Sequence, residues 1–194
     1  MKLLVISDNH GNNRNFVKIL GQEAPFDILV HAGDLCNTES YYQQVAGDEI
    51  PFEYVYGNCD YESMNMRRTF VADRYRVLLT HGHLLGVDYG PDTLIEEAKK
   101  EHCRMVIYGH THVPGIAWVP DDTRCRWRRL RDEKSAARLD VFRSKDVTGG
   151  GIMGGVLMMN PGSTSRPRQN NGRPSYITVT IDRGGAVEAK VHYL

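Results

Sequence analysis

The chain has 194 residues, and its 24 Lys and Arg balance 24 Asp and Glu, so no global charge draws it toward nucleic acid or a membrane surface. With 41% hydrophobic residues it can bury a sizeable core, and residues 1–194 are expected to form a single domain. No stretch approaches 18 apolar residues and Asp8 interrupts the opening apolar run, which argues against a membrane helix or a signal peptide and gives a cytoplasmic expectation. Cys36, Cys59, Cys103 and Cys125 lack paired spacing and fit reduced thiols in that compartment.

The run Leu3-Leu4-Val5-Ile6 predicts a buried strand, followed by Ser7-Asp8-Asn9-His10-Gly11 and a helix near 12–21. Asp27-Ile28-Leu29-Val30 predicts the next strand, before His31-Ala32-Gly33-Asp34 and a helix near 39–46. Tyr54-Val55-Tyr56 then precedes Gly57-Asn58-Cys59-Asp60, giving βαβαβ. A strand at 74–80 leads into Thr80-His81-Gly82-His83. Asp92 to His102 reads as a helix with Leu94, Ile95 and Ala98 on one face, and Met105-Val106-Ile107-Tyr108 leads into Gly109-His110-Thr111-His112. Strands follow at 116–119, 156–159, 176–181 and 186–192, the last two joined by the hairpin signal Asp182-Arg183-Gly184-Gly185.

Five apolar runs thus end in polar clusters that hold metal-ligand residue types: Asp8 with His10, Asp34, Asn58, His81, and His110 with His112. Open α/β sheets gather such C-terminal strand ends into one crevice, so these residues can supply a two-metal hydrolytic site. Residues two apart in an extended segment face one side, which would let Asp8 and His10 converge. Gly11, Gly33, Gly57, Gly82 and Gly109 beside them permit sharp turns and close backbone approach.

These five clusters, with Asn160-Pro161-Gly162-Ser163 and Ser165-Arg166-Pro167-Arg168, resemble the calcineurin-like metallophosphoesterases, and within them the small phosphodiesterases of the YfcE type. The likeness covers about residues 1–118 and 156–194. It implies a four-layer αββα sandwich of two mixed β-sheets flanked by helices. It also implies one divalent ion held by Asp8, His10, Asp34 and His112 and a second by Asp34, Asn58, His81 and His110. Asp34 would bridge them, as one carboxylate can hold two cations about 3.5–4 Å apart for in-line attack at phosphorus. A water shared by both ions would be the nucleophile. The mixed carboxylate, amide and imidazole set is compatible with Mn²⁺, Fe²⁺, Zn²⁺, Ni²⁺ or Co²⁺, and the resemblance favours Mn²⁺.

Many larger relatives carry His directly after the metal-binding Asn; here Cys59 stands there, a poor general acid at neutral pH. Asp60 is either a ligand-orienting carboxylate or a turn residue, and His83 either lines the pocket or packs. Asn9 and Asn12 either face substrate or cap the first helix, and Arg166 and Arg168 can aim guanidinium groups at a phosphate. His31, His102 and His192 read as structural.

Residues 121–145 hold nine Lys or Arg against five Asp or Glu, inside an insertion at about 120–155 that ends in a glycine-rich run. It could be a solvated excursion, a homo-oligomer contact or a basic flap; its conformation stays open between helix and strand. The leading function is hydrolysis of a small phosphate ester, most simply a diester with a nucleotide-like substrate. A protein-binding scaffold of the same fold and a nuclease are the alternatives. The complete ligand set favours the enzyme.

Overall fold

The computed structural model describes residues 1–62, 64–121, 141–143 and 154–194. The element order is β1 (Lys2–Ile6), α1 (Arg14–Glu23), β2 (Ile28–His31), α2 (Glu39–Ala46), β3 (Phe52–Tyr54), β4 (Arg67–Ala72) and β5 (Tyr75–Thr80), then α3 (Asp92–Lys100), β6 (Met105–Ile107), β7 (Gly115–Pro120), β8 (Val141–Arg143), β9 (Gly155–Asn160), β10 (Ser175–Ile181) and β11 (Val187–Tyr193). Two mixed sheets result, in the orders β3-β2-β1-β10-β11-β8 and β4-β5-β6-β9-β7.

Strand alternation divides the apolar residues among three cores. In β1, Leu3 and Val5 point between the sheets while Leu4 and Ile6 meet α1 and α2. In the second sheet Val77, Leu79, Met105, Ile107, Leu157 and Met159 face the first, and Leu78, Val106, Val156 and Met158 pack on Leu94, Ile95 and Ala98 of α3. A strand covered on both faces must be apolar at every position, which is why these runs are unbroken in the sequence. The layers are therefore α1 with α2, sheet, sheet, α3: the expected αββα sandwich.

Several boundaries differ from expectation. The first helix begins at Arg14, two residues late, because the turn after β1 extends to Asn12, whose N–H donates to the Asn9 carbonyl at 2.8 Å. β3 ends at Tyr54 because Tyr56 has already left the ladder, its N–H donating to the Asn65 carbonyl at 2.7 Å. β4 has no counterpart among the expected strands. It opens on two arginines and turns into β5 through Asp73, at φ 55°, and Arg74 rather than through glycine.

Most of the insertion lies outside the described residues, including Cys125, Trp127, Leu130 and Ala137. Its two ends are joined: β7 and β9 pair antiparallel to Pro120↔Gly155, and the Asp121 N–H donates to the Gly154 carbonyl at 2.7 Å. The described ends of the insertion are thus held side by side, and Val141 lies in β8, paired with β11.

The parallel trio β1, β2, β3 and the parallel trio β5, β6, β9 each send strand ends toward one side of the sandwich. The loops there keep pairing after the strands stop. His10 N–H donates to the Asp34 carbonyl at 3.0 Å, and Gly109 N–H to the His81 carbonyl at 3.1 Å. The two sheets also meet there, where the His110 N–H donates to Asp8 Oδ2 at 3.1 Å.

Candidate metal centre

Five of the candidate ligands leave their strands in the left-handed region: Asp8 (φ 54°), His10 (45°), Asp34 (56°), His110 (69°) and His112 (59°). Asp and His tolerate this better than most residues, but each still costs about 1–3 kcal/mol. This corrects the strand-alternation account of Asp8 and His10. They converge because the backbone turns left-handed at each, not because an extended segment continues through them.

Two glycines are required by how closely the loops approach one another. A Cβ on Gly57 would stand 2.1 Å from Asp34 Oδ1 and 2.8 Å from His81 Nε2. One on Gly109 would stand 2.1 Å from Ser7 Oγ and 2.8 Å from Asp8 Oδ2.

The histidines are oriented from behind. His81 Nδ1 lies 2.7 Å from the Ala32 carbonyl, and His112 Nδ1 lies 2.7 Å from the Arg166 carbonyl. A carbonyl only accepts, so each ring carries its proton on Nδ1, and in the neutral ring Nε2 presents a bare lone pair to the crevice. His110 uses the opposite nitrogens: Nε2 meets Asp88 Oδ2 at 2.9 Å, and Nδ1 faces Asn58 Oδ1 at 3.0 Å.

Those inner nitrogens point at oxygens that also only accept. His81 Nε2 lies 3.2 Å from Asn58 Oδ1, 3.4 Å from Asp34 Oδ1 and 4.0 Å from Asp8 Oδ1. His112 Nε2 lies 3.1 Å from His10 Nε2 and 3.1 Å from Asp8 Oδ1. Asp8 Oδ1 is buried and accepts no hydrogen bond. Burial pushes the Asp8 carboxyl up, but the surrounding His112, His81 and Ser7 side chains outweigh it and hold the group below the usual carboxylate range. An anionic, orphaned oxygen among lone pairs is a poor arrangement for a bare protein and a good one for a cation.

Asp34 stands between two such groups. Its Oδ2 lies 3.7 Å from His10 Nε2, while its Oδ1 faces His81 and accepts the Cys59 N–H at 2.8 Å. Ligand atoms of Asp8, His10, Asp34 and His112 all lie within 4.8 Å of one another and could hold one ion. Asp34, Asn58, His81 and His110 form the neighbouring group. The residues fit divalent metals in both charge and donor type.

A cavity of about 330 Å³ opens over this centre, lined by His10, Asp34, Asn58, Cys59, His110 and His112 and, on the far wall, Arg166, Pro167 and Arg168. The exposed side chains of both arginines are therefore at the rim. Cys59 is exposed there, its thiol raised by burial and by the Asp34 carboxylate. His83 sits behind the centre, its ring 5.3 Å from that of His81 and 6.0 Å from that of His110.

Asn9 does not face the cavity. Its side chain is fully buried, the amide donating to Tyr42 Oη and Asn13 Oδ1 at 2.5 Å each and the oxygen meeting His31 Nε2 at 2.9 Å. Burial pushes His31 down to about 3, so it is a neutral core group. Asn12 is exposed and outside the cavity lining, and the first helix has no side-chain cap from Asn13. Asp60 touches no ligand histidine: its oxygens accept the Gly57 and Cys36 N–H groups at 2.7 and 2.6 Å, tying two ligand loops together.

Two features escaped the sequence reading. Asp88, partner of His110, lies in a loop outside the regular elements, where no apolar periodicity in the sequence marks its position. The Asn160–Ser163 motif stood out in the sequence, but its role did not. Asn160 Nδ2 donates to the Gly109 carbonyl at 2.9 Å, and Ser163 Oγ donates to the Asp8 carbonyl at 2.6 Å. The motif clamps the loops that carry the ligands.

The chain is 26% identical over 188 residues to the probable metallophosphoesterase YsnB of Bacillus subtilis, covering 96% of this chain and 88% of YsnB. It is 29% identical over 138 residues to the phosphodiesterase YfcE of Escherichia coli, covering 59% of this chain and 71% of YfcE. A conserved Streptococcus pneumoniae protein of the phosphoesterase group superposes with a TM-score of 0.67 at 22% identity, covering 100% of this chain and 88% of that one. Zinc-complexed Vps29 of Entamoeba histolytica superposes with a TM-score of 0.63 at 18% identity, covering 100% and 98%. At those identities the two structures establish the fold alone. The model of the calcineurin-like phosphoesterase superfamily domain matches residues 1–184. The chain belongs to the calcineurin-like phosphoesterase superfamily.

Proposed function

We propose that the chain is a binuclear metal-dependent phosphodiesterase acting on a small, nucleotide-like phosphate ester. The observation that carries this reading is the division of Asp34, whose Oδ2 faces His10 at 3.7 Å and whose Oδ1 faces His81 at 3.4 Å. Asp8, His10, Asp34 and His112 would hold one ion; Asp34, Asn58, His81 and His110 would hold the other. When bound, two divalent cations, Mn²⁺ first among them, supply an activated water and offset charge on the phosphoryl oxygens.

The chain's own groups provide the remainder. Carbonyls of Ala32 and Arg166 lock His81 and His112 in the tautomer that offers Nε2 inward. Arg166 and Arg168 at the cavity rim orient the phosphate by charge-assisted hydrogen bonds. The space of about 330 Å³ suits a small ester rather than a polymer, which favours this reading over a nuclease. A scaffold of this fold has no need of a complete ligand set, whereas each ligand position here bears a competent donor.

The test is hydrolysis of an aryl phosphodiester, a matched monoester and cyclic nucleotides by metal-stripped protein resupplied with Mn²⁺, Zn²⁺, Ni²⁺, Co²⁺ or Fe²⁺. Diester turnover that appears only with metal is the expected result. Two ions bound with no turnover of any ester would favour the scaffold.

A further inference from the structure

His81 and His112 rest their outer ring nitrogens on backbone carbonyls, which come with the fold. His110 rests its outer nitrogen on a side chain, Asp88, at 2.9 Å. The loop that delivers Asp88 is a built device. After β5 the chain turns through Gly82 (φ 103°) and the short helical turn His83–Leu85, then through Gly86 (φ 64°). Val87 folds back, its N–H donating to the Gly82 carbonyl at 3.4 Å, and buries its side chain beside α3. A Cβ on Gly82 would meet Val87 Cγ1 at 2.8 Å, so the loop closes only with glycine there. The next residue, Asp88, is thereby set over His110 although its side chain is 54% exposed.

We infer that Asp88 is a positioning residue for His110, and the inference rests on the two-metal reading above. A carboxylate only accepts, so the pair keeps the ring proton on Nε2 and turns the Nδ1 lone pair toward Asn58 Oδ1, 3.0 Å away. Asp88 thus completes the half of the centre made by Asn58, His81 and His110. The His10 and His112 half is oriented through Arg166 and Ser163 and does not depend on it. Carboxylate support of this kind typically changes metal affinity about 10–100-fold.

The experiment uses the full chain with Asp88→Ala and Asp88→Asn. Calorimetric titration with Mn²⁺ should give two equivalents in the parent. Asp88→Ala should retain the first and weaken the second by about 10–100-fold, and Asp88→Asn, whose amide oxygen still accepts, should fall between. In metal-free protein at pH 8, ring ¹⁵N shifts should report Nε2-protonated His110 in the parent and a shift toward Nδ1 protonation in Asp88→Ala. Unchanged ring tautomer and unchanged second-ion affinity in Asp88→Ala would overturn the inference. A parent chain that binds fewer than two ions would overturn the two-metal reading instead, while the tautomer measurement would still decide whether Asp88 governs His110.

Discussion

The Ser163 hydroxyl donates to the backbone carbonyl of Asp8 at 2.6 Å, across 155 residues of sequence. The same oxygen accepts the Arg166 and Ser165 N–H groups at 2.7 and 3.1 Å. One buried hydroxyl therefore fixes the left-handed Asp8 and the loop that presents Arg166. Ser163→Ala leaves two N–H groups without their acceptor and is expected to cost about 1–3 kcal/mol. Denaturant unfolding measures that loss, and metal titration should show weakened binding of one ion. Parent-like values in both would mean that the clamp is incidental.

Gly57→Ala is expected to damage the centre directly. The new methyl would stand 2.1 Å from Asp34 Oδ1 and 2.6 Å from the Asp34 backbone nitrogen, so the shared carboxylate must move. Elemental analysis should show both ions depleted, with affinity down about tenfold or more. Gly115→Ala, with no atom within 4 Å of the added Cβ, is the control and should bind metal normally.

Much of this centre is legible in the sequence, because metal ligation restricts residue type and strand ends restrict position. Asp8, Asp34, His81 and His112 follow strands whose apolar residues are buried. The illegible parts depend on contacts distant in the chain. Asp88 meets His110 across 22 residues, and Asn160 reaches Gly109 across 51. β4 is hidden for another reason: at the sheet edge its first residues need no apolar side chains, and Arg67 instead pairs with Glu97 and Glu101.

Stability should fall on acidification in a way His31 makes visible. Complete burial pushes its folded-state value down to about 3, against 6.5 for the ordinary imidazole, so the unfolded chain takes up the proton first. The contribution is full above pH 6.5 and is lost as pH falls from 6.5 toward 3. The slope it adds approaches about 1.4 kcal/mol per pH unit within that window. His31→Gln should be less stable at pH 8 but show a shallower decline in denaturant midpoint between pH 7 and 5. An equal slope in both proteins would contradict the assignment.

Under the proposed reading, Cys59 should govern the leaving-group dependence. Burial and the Asp34 carboxylate raise its thiol, so it gives up a proton poorly at neutral pH. Across substituted aryl diesters, turnover should drop steeply as the leaving group becomes more basic. Cys59→His should recover the slowest substrates by up to about 100-fold. A flat series, with chemistry rate-limiting, would show that proton donation comes from elsewhere.

The central claim is that Asp34 joins two metal ions, and anomalous diffraction from crystals grown with Mn²⁺ tests it most directly. The account requires two peaks about 3.5–4 Å apart with the Asp34 carboxylate between them, one beside His10 and His112 and the other beside His81 and His110. A single peak, or two peaks of which only one touches Asp34, would contradict it.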